Sequence, residues 1–180
     1  MSSPRTVLLD AAAVRDILAH MAEELVASWE GSGELVLLGI HRRGVQLAEI
    51  LAERIRLQGV VDVAVGSLDI TLYRDDLMTV GPRPVVGPTR LPDGGIDGRQ
   101  VVIVDDVLYT GRTVRAALDE LADFGRPRRI LLCVLVDRGG RELPIQPDVV
   151  GLVVEEGEGR VEVLVPDIDG ELAVTRVDLD

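Results

Sequence analysis

The chain predicts an α/β fold with a mostly parallel central sheet flanked by helices, and three observations carry that expectation. Aliphatic runs such as "ELVLLGI", "VVIV" and "ILLCVLV" lack the alternation of a half-solvated strand and suit strands covered on both faces. Segments with helical spacing stand between these runs, as the crossovers of parallel strands require. Hydrophobic residues make up 47% of the 180 residues and aromatics only 2%, so the core is aliphatic, and one domain over residues 1–180 is long enough to bury it.

Taken in order, "LLDAAAVRDILAHMAEELVASW" reads as an amphipathic helix capped by Asp10 and ended near Gly31. "ELVLLGI" (34–40) is a short buried strand, and "GVQLAEILAERIRL" from Gly44 is a helix. "VVDVAVGSLDITLY" holds one or two strands. Residues 74–100 carry Pro82, Pro84, Pro88 and Pro92 among several glycines, which excludes regular helix and predicts a long flexible loop, a hairpin or a lid. Val101–Val104 is a buried strand, and Val114, Ala117, Leu118 and Leu121 mark a helix from Thr113 that Gly125 ends. "RRILLCVLVD" is a further strand, followed by a turn at Gly139-Gly140 and short strands in "DVVGLVVEE" and "RVEVLVPD".

Composition narrows the chemistry. A net charge of −12 argues against general affinity for nucleic acid or anionic membranes. No apolar run approaches membrane-spanning length, and "MSSPRTVLLD" lacks the apolar stretch of a secretory signal, so a cytoplasmic address and no membrane partner are expected. The single cysteine, Cys133, lies in an apolar run and reads as a core thiol. All 19 basic residues are Arg, which excludes the Lys-containing phosphate loop of nucleotide hydrolases and any lysine Schiff base. His20, His41 and Cys133 are too few good ligands for a zinc site.

The segment "VVIVDDVLYTGRTVRAAL" (101–118) carries the functional signal. Gly111 lets the backbone approach a ligand, while Thr110, Thr113 and a helix N-terminus favour an anion. Asp105 and Asp106 would repel that anion unless something separates them. A sugar does so, with hydroxyls for the carboxylates and a phosphate at its far end. The alternative is an ordinary strand–turn–helix connection with an acidic turn. His41, Arg42, Asp105 and Arg138 all follow predicted strands and can share the carboxyl edge of the sheet, where open α/β sheets bind ligands.

"VVIVDDVLYTGRT" resembles the phosphoribosyl-pyrophosphate (PRPP) signature of type I phosphoribosyltransferases. With "DITLYRDDL", "GRPRRI" and "VLVDRGGRELPI", the chain resembles the PyrR family of bifunctional pyrimidine-operon attenuation regulators and uracil phosphoribosyltransferases, from the first helix to about Asp148. The resemblance implies the type I fold with a small base-binding hood, and a reaction that makes uridine monophosphate (UMP) and pyrophosphate from uracil and PRPP. It implies that Asp105 and Asp106 hold the ribose hydroxyls. Val104, Val107, Leu108, Tyr109, Thr110, Gly111, Arg112 and Thr113 complete the PRPP or nucleotide site. His41, Arg42 and Arg43 in "GIHRRG" would form the pyrophosphate loop, with Arg42 where the family has Thr. Arg74 would close onto the pyrophosphate or else pair with Asp75 or Asp76. Arg138 would lie against the uracil ring as a catalytic and base-binding residue, or else pair with Asp137 or Glu142. Mg²⁺ would enter with PRPP, with no metal site built from the protein.

The resemblance also implies UMP or UTP as effectors, a pyrimidine-operon leader RNA as a partner, and a homodimer or larger homo-oligomer. The carboxyl-terminal part departs from the family: "GLVVEEGEGR" (151–160) replaces a Gly-Lys-Asn-(Ile/Val)-Pro-Thr-Ser stretch, and only Val154 keeps the apolar position of the base loop. The RNA face departs too. Ala19, His20 and Glu23 stand where Thr, Arg and His are usual, and Gly140 replaces a His. Arg42 and Arg141 remain as RNA candidates, with Arg126, Arg128 and Arg129 able to rebuild a basic patch. Two other readings stay open: a nucleotide-sensing RNA regulator with weak catalysis, and a transferase for another base.

Overall fold

The structure is a computed structural model that describes residues 4–31, 33–59, 62–71, 88–155, 157 and 159–178. In chain order its elements are β1 (Arg5–Leu9), α1 (Ala11–Ser28), β2 (Leu35–Ile40), α2 (Arg43–Gln58), β3 (Val63–Leu68), β4 (Gln100–Leu108), α3 (Arg112–Phe124), β5 (Arg129–Asp137), β6 (Val149–Val153), β7 (Arg160–Leu164), α4 (Pro166–Asp169) and β8 (Ala173–Val177).

Five strands form a parallel sheet in the order β3-β2-β4-β5-β6, as the buried aliphatic runs predict. Its strands feed two cores by alternation. Val102 and Val104 of β4 join Leu35 and Leu37 under α1 and α2, while Val101 and Ile103 join Val36 and Leu38 under α3. Both faces are apolar, which is why no period of two shows in these strands. Full burial of each such side chain stabilises the fold by about 1.5–3 kcal/mol. The chain winds outward from β2 to β3 and, on the other side, from β4 to β5, so the order reverses between β2 and β4. A crevice opens at their carboxyl ends.

A second, antiparallel sheet of order β1-β8-β7 forms a hood, with Arg5 opposite Val177 and Arg160 opposite Val177 on its other side. Its β1 and β8 were not expected. Leu8 and Leu9 read as the start of the first helix, yet they belong to β1. The helix begins at Ala11, where Asp10 accepts from the Ala13 amide at 2.9 Å as a cap.

The long loop expected over 74–100 is described only at its carboxyl end. Residues 72–87, with Arg74, lie outside the described residues, but 88–100 are packed. Ser67 and Arg90 exchange both backbone hydrogen bonds at 2.8 Å, and Ile96 is buried. Pro and Gly forbid helix there without forbidding a bridge and turns. Cys133 is buried, and burial pushes its thiol up, as a core thiol requires. Among the described residues no helix is long and apolar enough to cross a membrane.

Candidate functional site

Strand β4 continues through both carboxylates to Leu108 instead of ending at Val104. Successive strand residues face opposite ways, so the two aspartates are not equivalent. Asp106 lines a cavity of roughly 260 Å³ between the strand edge and the hood. Asp105 is only 6% exposed, and its Oδ1 accepts from the Asp106 amide at 2.9 Å. Burial, and then the neighbouring Asp106 charge, push the Asp105 carboxyl well above the usual carboxylate range. Asp106 Oδ1 in turn accepts from the Val107 amide at 2.8 Å. Of the flanking positions, Val107 lines the cavity, whereas Val104 and Leu108 are buried in the two cores.

The chain then turns at Tyr109–Gly111 into α3. Gly111, with φ 93°, is the N-cap and supplies no side-chain bond. The first-turn amides of Arg112, Thr113 and Val114 therefore have no helical partner, apart from a long bond at 3.3 Å from the Arg112 amide to Thr110 Oγ1. Such a helix start favours an anion. The segment 139–145 is stitched underneath it. The Glu142 and Leu143 amides donate to the Thr110 carbonyl at 2.9 and 3.1 Å. Arg141 donates to the carbonyls of Tyr109 and Ile145 and to Asp137 Oδ2 at 3.0, 2.8 and 2.7 Å. Arg141 is thus an internal staple of the cradle, a role its place in the sequence does not reveal. Arg112 pairs with Glu142 at 2.8 Å.

At the end of β2, the backbone of the 40–44 turn lies against β4: a Cβ on Gly44 would stand 2.6 Å from the Val104 carbonyl oxygen, so only glycine fits. The His41–Arg42 peptide is cis. His41 Nε2 donates to the Pro88 carbonyl at 3.3 Å, and Arg42 is exposed. Arg43 lines the cavity and forks onto Asp169 of α4 through Nε at 3.1 Å and Nη2 at 2.7 Å.

Arg138 takes neither of its expected partners, since Asp137 is paired with Arg141 and Glu142 with Arg112. It lies over the Tyr109 ring, 4.2 Å from the centroid, and donates to the Gly159 carbonyl at 3.0 Å. A Cβ on Gly140 would meet that ring at 2.1 Å, so a His here would displace Tyr109. The Val154 amide donates to the Asp137 carbonyl at 2.8 Å, extending the β5–β6 pairing, and is therefore already engaged. The wall opposite Asp106 and Arg138 is built by Arg160, Val161, Glu162 and Val163 of β7. Sequence reasoning missed these as site residues, although the alternation in "RVEVL" marks a strand with two unlike faces. A larger open depression of roughly 800 Å³ at the other end of the sheet, lined by Trp29, Glu34, Arg56 and Asp62, holds no comparable convergence of carboxylate, helix start and guanidinium.

Residues 5–166 match the phosphoribosyl transferase domain family. A bifunctional protein PyrR of Pelotomaculum thermopropionicum is 51% identical over 172 residues, covering 95% of this chain and 94% of that one. The chain belongs to the PyrR family of phosphoribosyltransferases. A second bifunctional protein PyrR, from Deinococcus deserti, is 47% identical and covers 100% of this chain and 98% of its own. The PyrR-family chain also shares its fold with the hypoxanthine phosphoribosyltransferase of Trypanosoma cruzi, with a TM-score of 0.70 at 19% identity over 97% of each chain. The type I phosphoribosyltransferase fold expected from the sequence is therefore the fold observed.

Proposed function

We propose that this chain makes UMP and pyrophosphate from uracil and PRPP, and that its second role is uridine-nucleotide-responsive regulation of pyrimidine-operon transcription. One observation carries the enzymatic reading: Asp106 and Arg138 line one cavity together with Tyr109, the residue that opens the turn into the N-terminus of α3. On this reading the 5-phosphate sits on the amides and hydroxyls of Thr110–Thr113, and Asp106, backed by Asp105, takes the ribose hydroxyls. The C1–O bond to pyrophosphate breaks, the bond from C1 to a uracil ring nitrogen forms, and that nitrogen loses its proton. Positive charge develops on the ribose as the bond breaks, and a fixed carboxylate beside it stabilises that charge. Pyrophosphate departs towards the His41–Gly44 turn, with Arg74 from the adjoining segment.

Uracil lies beside Arg138 under β7. Val154 serves as an apolar neighbour there, its amide being held by Asp137. Among the described residues no group of three His, Cys, Asp or Glu side chains stands together to hold a metal. Mg²⁺ enters with the substrate as its PRPP complex, as the resemblance implies. A cytoplasmic address, expected from the composition, and assembly as a homodimer or larger homo-oligomer, implied by the resemblance, are part of the same proposal.

Regulation takes second place because the basic candidates are largely engaged. Arg128 and Arg129 both pair with Glu30, at 3.1 and 2.9 Å, and Arg141 is bonded internally, which leaves Arg42 and Arg126 exposed. The test is a base panel with PRPP and Mg²⁺. UMP and pyrophosphate should form with uracil and not with cytosine, hypoxanthine or guanine. Turnover of a purine instead overturns the base assignment, and no turnover with any base overturns the enzymatic reading.

A further inference from the structure

Two arginines at the carboxyl edge of the main sheet border the 260 Å³ cavity, and each grips the hood. Arg138 holds it at one end through the Gly159 carbonyl, and Arg43 holds it at the other through Asp169. The second grip is the stronger chemically, a forked guanidinium–carboxylate pair. Asp169 is itself fixed. Its Oδ2 also accepts the Val165 amide at 2.8 Å, and its side chain is only 15% exposed. The pair joins residues 126 apart in sequence, the first residue of α2 and the last of α4. Arg43 has five N–H donors and Asp169 engages two, so three remain for a ligand in the cavity that Arg43 lines.

We propose that Asp169 is a positioning residue for the reaction: by gripping Arg43 it fixes the start of α2 at the cavity wall and ties the seating of the hood to the binding of PRPP. The inference rests on the phosphoribosyl reading of the site. Holding a guanidinium in one rotamer removes the entropy cost that a free arginine would meet on binding an anion.

The test is a double-mutant cycle of Arg43→Gln and Asp169→Asn, with PRPP and UMP dissociation constants from calorimetry and turnover from the uracil assay. Asp169→Asn should weaken PRPP binding about tenfold while kcat changes less than about threefold. The double variant should bind PRPP no more weakly than Arg43→Gln alone, and Asp169→Glu should recover part of the loss. If Asp169→Asn folds poorly, Arg43→Lys reads the same grip from the other side, since it keeps the charge and loses the fork. Additive losses in the cycle, or a lowered melting temperature with unchanged PRPP affinity, would overturn the proposal. Wild-type protein that binds neither PRPP nor UMP would overturn the reading beneath it as well.

Discussion

Asp105 and Asp106 show how far adjacent identical residues can diverge. Their presence and chemistry are legible in the sequence, but their inequality is not, because "DD" before a glycine loop reads as a turn. The structure keeps both in β4, and the two-residue repeat of a strand then buries one and presents the other. Asp106→Asn should therefore lower turnover by about 10²–10³-fold, the scale of losing one fixed electrostatic group at a developing charge. Asp105→Asn tests burial instead. A carboxyl whose folded pKa is raised imposes no penalty below its unfolded value of about 3.9, a growing one as pH climbs above that, and the full one above the folded pKa. Asp105→Asn should thus raise the melting temperature at pH 8 more than at pH 4. Equal shifts at the two pH values would contradict the burial argument.

Elements built from local pattern were legible, and elements built from distant partners were not. Asp10 capping α1 and Gly125 ending α3 follow from local chemistry. Strands β1 and β8 are five residues each and pair the two ends of the chain, so no local signal marks either. The base of the long loop was hidden for a related reason. Composition shows its prolines but not the contacts that pin it: Ser67 to Arg90, Asp69 to Thr89, and Thr89 to the carboxylate of Glu120. Glu120 is buried, and desolvation raises its carboxyl above the usual range. The Ser67 and Arg90 amides should consequently exchange slowly with deuterium both with and without PRPP. Fast exchange at these two amides that slows only when PRPP is added would contradict a pinned stem.

For the whole molecule, the net charge of −12 sets the background, but local pairing decides the surface. With Arg128 and Arg129 sharing the single charge of Glu30, and Glu23 and Glu24 exposed on α1, the positive charge that a leader stem-loop meets is reduced. Filter binding at several salt concentrations, with UMP present, should show weak affinity and a shallow salt slope. Tight, UMP-stimulated binding with a steep slope would instead make regulation the leading role.

Ribose phosphate is expected to bind between the end of β4, the start of α3 and the hood. An NMR titration of uniformly ¹⁵N-labelled protein with UMP locates that site. The largest shifts should fall on the amides of Asp106, Tyr109–Thr113, Arg138 and Gly159. Shifts centred on Trp29, Arg56 and Asp62 at the opposite end of the sheet, with the α3 start unmoved, would contradict it.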